Sequence, residues 1–600
     1  MFVRSIIEFV LFYHPWVFYN KGMRRFWVMI FVLFLLPICC CVILPFNQPN
    51  PTSTQTTFPT VTAITPEPTE TEFPTQTPSP RPTETPPPAS PTSVPTLQSF
   101  SVLYHPDDVL YVGDLVSFEV ISPPGVSLKD SKLQLQVDPP DGPTFDQVNF
   151  GAWGIQGREE ATLLWTWDSS NFEPITHTLD FSVQPEGYNW TEQVRLLPSS
   201  EMPPDQARAA WASTNTQCCT VFYITNTASE RDLNTLIRVI DEQAQDAIQE
   251  MSASFTQPIT ITILPRLLGH GGFTSDEISV SYLDRNYASN SWELVVHHEM
   301  IHAIDGHLGG DFRPSIFVEG LAVYMTGGHY KPEPLMPRAA ALLPEYLDWY
   351  IPLKNLVDDF YSPQHEIGYL EGAALIEYLV NTYGWEAFSS FYRDIHLQKD
   401  QTQFDAIDAA LKAHFSIDFD QLEKDFIAAL EGETQAAVWM EDVRLTVTYY
   451  DTMRSYQQLL DPSAYFRTAW LLDNKTMRER RIVADYLRHP HTAENLALET
   501  LFIATGQELA EKQYSTAAQT LIEINAVLAA TEQGTSDPFS ASSLAAEYLS
   551  IATTLQQQGY ETQSIQVAGD TATVNATTST GPDLIVLHLE GHRGEWQLTP

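Results

Sequence analysis

The segment VVHHEMIHAIDGHLGGDFRPSIFVEGLAVYMTGG, residues 295–328, sets four histidines and two glutamates inside an otherwise apolar frame. A fold that buries such groups must pair them, hydrogen-bond them or bind them to a metal, so this stretch restricts the permissible folds more than any other. Asn290 followed by Glu293 reads as a capping-box helix start, with Asn in place of Ser or Thr. From there Trp292, Val295, Val296, Met300, Ile301 and Ile304 recur at helical spacing, and Gly306 is expected to end the run. On that helix His298 and His302 are four residues apart and project from one face, one turn above the other. Both reach a single metal ion. Glu299 is rotated by about 100° from His298, beside the metal rather than on it, where a carboxylate can act as general base.

Catalytic zinc takes three protein ligands and keeps one open position, so two imidazoles leave one ligand missing. The loop from Gly306 to Pro314 reverses the chain, and Pro314 opens a second helix that runs to about Thr326 and stops at Gly327–Gly328. Glu319 lies in its middle among Ile316, Phe317, Val318, Leu321, Ala322 and Val323. A lone carboxylate there is costly unless paired or metal-bound, which makes Glu319 the third ligand and predicts one Zn2+ per chain. His297 points about 100° off the ligand face. His307 and His329 are placed in loops, without a role.

HHEMIHAID together with PSIFVEGLAVY resembles the gluzincin zinc metallopeptidases, most closely the peptidase MA-like family, over residues 205–435. The resemblance implies a thermolysin-like α+β domain that hydrolyses peptide bonds, with His298, His302 and Glu319 as zinc ligands and Glu299 as general base. GYLEGAALIEYLVNTYG, from Gly368, is similar to the Y-x-K-G helix of related zinc aminopeptidases. It implies that Tyr369 steadies the oxyanion of the tetrahedral intermediate, although Glu371 stands where that family has lysine. Tyr361 and His365 are the alternative donors. The G-x-M-E-N segment that holds a substrate's free amino group has no counterpart in RLLGHGGFTSDEISVSYL, which favours an endopeptidase. Gly269 to Phe273 is expected as an edge strand or loop along the cleft, where an extended peptide can add as a further strand.

The rest of the chain gives this chemistry an address. Residues 26–46 carry no charge and are long enough to span a bilayer, with Lys21, Arg24 and Arg25 just before them. The expectation is an uncleaved single-pass anchor, with residues 1–25 cytoplasmic and everything after 46 outside. A cleaved signal peptide or a lipoprotein signal at Cys39 are the competing readings, and Met23 is an alternative start. Residues 47–97, rich in Pro and Thr, cannot bury a core and read as a semi-extended linker.

Short alternating strands over 98–200 indicate an immunoglobulin-like β-sandwich, its core resting on Trp165, Trp167 and aliphatic residues. Residues 436–600 read as a helical, then α+β, accessory region whose helices-then-sheet order resembles the nuclear-transport-factor-like cone fold. The expected fold class is therefore multidomain, with a thermolysin-like α+β peptidase domain between the sandwich and the accessory region. Cys218 and Cys219 are adjacent, so an ordinary disulfide between them is not expected and no disulfide framework can be built. The net charge of −43 argues against nucleic acid and anionic membrane surfaces as partners. The partners left are a peptide or protein substrate and the membrane reached through the anchor. The alternative function is a non-catalytic surface binding or scaffold protein that retains a peptidase fold.

Overall fold

The computed structural model describes residues 100–592 and 595–599, except 108, 124, 146, 154–157, 256–257, 267–270, 284 and 465–472. The predicted N-terminus, anchor (26–46) and linker (47–97) lie outside the described residues. Among the described residues no helix is long and apolar enough to cross a membrane.

Period-two burial, clearest in KLQLQV and THTLDFSVQ, drives the first nine strands into two facing sheets. They are β1 (Ser101–His105), β2 (Leu110–Tyr111), β3 (Leu115–Ile121), β4 (Lys132–Val137), β5 (Val148–Asn149), β6 (Gly151–Trp153), β7 (Arg158–Asp168), β8 (Thr176–Gln184) and β9 (Tyr188–Leu197). One sheet has the order β1-β3-β7-β6 and the other β2-β9-β8-β4-β5. Phe118, Trp167 and Phe181 fill the space between them. Trp165 does not, contrary to expectation. The register of β3 on β7 slips between Val116 and Phe118, and Trp165 takes a left-handed backbone with φ 46°. The two extra residues that β7 carries there bend the strand and turn the Trp165 side chain out of the sandwich. The indole packs with Ile224, Leu264, Met477, Ile482 and Tyr486 instead, and its Nε1 donates to Asp485 at 3.0 Å.

A mixed five-stranded sheet follows, built from β10 (Trp211–Asn215), β11 (Cys219–Ile224), β12 (Ile259–Leu264), β13 (Gly272–Thr274) and β14 (Ile278–Ser281) in the order β10-β11-β12-β14-β13. β11, β12 and β14 are parallel, and β13 closes one edge antiparallel to β14. The crossover from β11 to β12 is α1 (Leu233–Met251), which buries Leu236, Val239, Ile240, Ala244, Ala247 and Met251 along one face. Cys218 and Cys219 are joined by a disulfide, correcting the expectation that they stay apart. They sit in the β10–β11 turn, where Asp241 of α1 accepts the Gln217 and Cys218 amides at 3.0 and 3.2 Å. Backbone held this way from outside the turn accommodates a ring that a free dipeptide resists.

The helical lobe carries α2 (Trp292–Leu308), α3 (Ser315–Thr326) and α4 (His365–Tyr383), followed by shorter helices up to Glu431. Then α5 (Ala436–Leu460) faces two ways: Val443 and Val447 belong to the core under the site, while Leu445, Tyr449 and Tyr456 belong to the core of the C-terminal part. Tyr449 and Tyr450 donate to the carbonyls of Tyr287 and Ala288, just ahead of α2, at 2.6 and 3.1 Å. Three more long helices and an antiparallel sheet of β15 (Tyr560–Ala568), β16 (Thr571–Thr578), β17 (Gly581–His592) and β18 (Glu595–Leu598) complete the chain. The observed class is multidomain α+β.

Buried ion pairs lock these parts together. Arg488 meets Asp114 of the sandwich with Nη1–Oδ2 at 2.5 Å and Nη2–Oδ1 at 2.9 Å, both side chains nearly inaccessible. Removing one partner leaves the other charge buried and uncompensated. Arg488→Met is therefore expected to lower the unfolding free energy by about 3–5 kcal/mol, measured by urea denaturation, with part of the loss restored by adding Asp114→Asn.

Candidate metal centre

Helix α2 is apolar on most sides because it runs through the core, with Val295, Val296, Met300, Ile301 and Ile304 buried along with His297, His298, Glu299 and Asp305. Its start differs from the expected capping box: Ser291 is the N-cap, without a side-chain cap bond. It also continues through Gly306 to Leu308, so His307 lies in its last turn rather than in a loop. His297 turns away to α1, with Nδ1 2.8 Å from Gln243 Oε1 and Nε2 3.2 Å from Glu250. His298 and His302 turn the other way, toward α3.

There the Nε2 atoms of His298 and His302 lie 2.9 Å apart, and Glu319 Oε2 lies 3.4 and 3.2 Å from them. All three donor atoms fall within 4.8 Å of one another. Zinc bonds of about 2.0–2.1 Å at a tetrahedral angle separate neighbouring donors by about 3.3–3.4 Å, so this triangle fits such an ion. The donor chemistry fits as well. Burial disfavours ionisation of Glu319, yet the charge of His302 and hydrogen bonds from both imidazoles hold its carboxyl well below the usual range. Burial likewise opposes a charged His302, but the Glu319 carboxylate outweighs it and raises the imidazole to about 9. An anion against two imidazoles is a site for positive charge, whether proton or metal cation.

Two glycines set the position of Glu319. A Cβ on Gly320 would lie 2.5 Å from the carbonyl oxygen of Gly372, and one on Gly372 would lie 3.1 Å from the Ile316 carbonyl oxygen. α3 and α4 thus cross backbone to backbone, and Glu319 and Tyr369 come from either side of that crossing. Tyr361 donates to Glu319 Oε1 at 2.8 Å, fixing the carboxylate oxygen turned away from the histidines. Tyr369 is buried and stacks on His329 at 4.2 Å, its ring 6.5 Å from that of His298. Burial pushes its phenol well above the ordinary value, and Glu319, Tyr361 and Glu299 push it the same way. Glu371 does not join the site. It is fully buried and accepts the Ile351 amide at 2.8 Å.

The edge strand β13 passes directly over Glu299. A Cβ on Gly272 would come within 2.6 Å of Glu299 Oε1, so only glycine permits that approach. Thr274 Oγ1 donates to Glu299 Oε2 at 2.6 Å. Burial raises the Glu299 carboxyl above its usual range, against the lowering pull of His298, His302 and the Thr274 hydroxyl. A cleft of about 970 Å3 opens here, and His298, Glu299, His302, Glu319 and Tyr369 all line it, with Tyr361, His365 and His329. Sequence reasoning placed Gly272 only within the cleft-edge segment expected at Gly269 to Phe273, of which the described part joins the edge strand β13, and it gave no part to Thr274 or His329. The repeated Glu-Gly of Glu319-Gly320 and Glu371-Gly372 was the available signal for the crossing.

The two glycine environments predict opposite signs. Gly320→Ala forces backbone apart and is expected to cost about 1–3 kcal/mol. Gly306→Ala, whose Cβ would meet nothing nearer than 3.9 Å, is expected to stabilise by up to about 1 kcal/mol as a helix substitution. Thermal and denaturant unfolding of the two variants checks both.

No protein-family model matches the sequence, and no curated protein matches it. Among solved structures the chain is similar to the crystal structure of an aminopeptidase N family protein from Idiomarina loihiensis. The two share 10% sequence identity with a TM-score of 0.26, over 55% of this chain and 76% of that one. A likeness this loose carries no argument about activity, which has to come from the site itself.

Proposed function

We propose that this chain is a zinc-dependent metallopeptidase of the gluzincin type, acting as an endopeptidase and tethered through residues 26–46 with its bulk outside the cytoplasm. The observation that carries the reading is the convergence of His298 Nε2, His302 Nε2 and Glu319 Oε2 in the wall of a cleft that also contains Glu299. His298, His302 and Glu319 would hold the zinc, one ion per chain. When bound, such an ion supplies Lewis acidity and brings the pKa of a bound water down to about 7.

The chain's own groups do the rest. Glu299 accepts the proton of the attacking water as the new C–O bond forms at the peptide carbonyl. It then delivers that proton to the departing amine as the C–N bond breaks. Thr274 keeps one Glu299 oxygen fixed during both transfers. Tyr369 offers its hydroxyl to the oxygen that gains negative charge, and its stack on His329 keeps it there. The edge of β13 presents extended backbone to which a peptide segment can add, a mode that needs no free terminus.

Elemental analysis of the purified protein is expected to find one zinc per chain, and His302→Ala to lose it. Glu299→Gln is expected to keep the metal yet lose at least about two orders of magnitude in turnover of a casein-derived peptide. A wild-type protein that stays metal-free after zinc loading overturns the reading. Metal retention without any turnover points to the binding protein instead.

Tyr369→Phe is expected to retain zinc and lower kcat by about 10²–10³, with little change in KM, as expected for one oxyanion donor. Wild-type kinetics for that variant would move the role to Tyr361 or His365.

A further inference from the structure

Arg313 stands in the loop between α2 and α3 and lines the cleft, its guanidinium 3.9 Å from where a Cβ on Gly306 would lie, one helical turn beyond His302. Its side chain is 32% exposed, and Nη1 lies 2.9 Å from Asp305 Oδ2. Asp305 is buried and also accepts the Tyr392 hydroxyl at 2.8 Å. One edge of the guanidinium is therefore fixed. A guanidinium carries five N–H donors in a planar fork, so several remain for something in the cleft.

The pose is built into the chain. A Cβ at residue 309 would lie 2.2 Å from Arg313 Cδ and 3.1 Å from its Cγ. Gly309 has φ −63°, a conformation open to any residue, so its glycine is explained by room for the arginine stem and not by backbone freedom. A partner needed only to neutralise Asp305 would require neither the fork nor its place in the wall. Among the described residues lining the cleft Arg313 is the only lysine or arginine. Of the carboxylates at the rim, Glu277 is taken up by Arg478 at 2.7 Å. Asp276 lies exposed on the turn after β13, where solvent and salt screen it far more than the half-covered Arg313.

We propose, resting on the peptidase reading, that Arg313 receives a carboxylate of the peptide, making the enzyme selective for acidic substrates. The fork of a held arginine matches a carboxylate in two parallel hydrogen bonds, a geometry that lysine or an amide does not reproduce. The carboxylate comes either from an aspartate or glutamate side chain near the bond cleaved or from the peptide's C-terminus.

Binding measurements separate these sources and do not depend on turnover. The zinc-loaded full chain carrying Glu299→Gln is titrated with fluorescein-labelled, alanine-based peptides. They differ by Glu against Gln at one position at a time, or by a C-terminal carboxylate against an amide. One pair is expected to differ at least about ten-fold in Kd, the anionic member binding tighter. Adding Arg313→Gln is expected to bring that ratio to within about two-fold. Because Arg313→Gln strands the Asp305 carboxylate, the Arg313→Gln/Asp305→Asn variant is measured beside it, with folding checked by circular dichroism, and the same loss is expected. Equal binding of every pair, or a preference that survives both variants, overturns the assignment. Cleavage by the wild type without any carboxylate preference removes Arg313's role and leaves the peptidase reading intact. A preference in binding without cleavage by the wild type does the reverse.

Discussion

The approach of α3 to α4 at Gly320 and Gly372 is the contact on which the site depends. Carbonyl oxygen and α-carbon meet there with no side chain between them, so neither helix can slide or rotate without a clash. Glu319 precedes one of these glycines, and Tyr369 lies one turn before the other. Their separation is thus set by backbone packing rather than by flexible side chains. α2 then brings its histidines against the same surface, and β13 covers the remaining side by laying Gly272 on Glu299. A carboxylate, two imidazoles and a phenol are held by parts of the chain that have little freedom of their own.

Four buried glutamates on these helices show how environment assigns different roles to one side chain. Glu319 faces two imidazoles and is held ionised. Glu299 keeps one oxygen on the Thr274 hydroxyl, and its burial raises the carboxyl above its usual range. Glu366 is bound by both nitrogens of the Arg454 fork, at 2.9 and 2.7 Å, which overrides the burial that would otherwise raise it. Glu371 meets no cation among the described residues; burial pushes its carboxyl well above the usual range, and it accepts the Ile351 amide. Where a lysine is expected from the resemblance, this buried carboxyl holds the segment at Ile351.

Features carried by local periodicity were legible in the residues alone. The i, i+4 pair His298 and His302, the second helix around Glu319, and the alternating strands of the sandwich all follow from side-chain direction within one element. What failed needed information from distant chain. Trp165 shares its parity with Trp167, and only a slipped register, invisible in β7 by itself, sends it outward. Thr274 looks like any turn residue until β13 is placed over α2. Adjacent cysteines look unfavourable for bonding until Asp241, more than twenty residues later, is seen holding their turn. Arg313 gave no signal, because the space that admits its stem belongs to a glycine whose backbone angles are ordinary.

The clamp of Tyr449 and Tyr450 on the residues ahead of α2 has a consequence for the order of assembly. The hydroxyls that pin Tyr287 and Ala288 lie 162 residues further along the chain. During synthesis, which proceeds from the N-terminus, the sandwich and the five-stranded sheet are available long before those hydroxyls exist. The entrance to the histidine helix is consequently anchored only after α5 has emerged and docked. The surroundings of His298 and His302 are therefore completed late, after nearly all the chain ahead of α5 has been made.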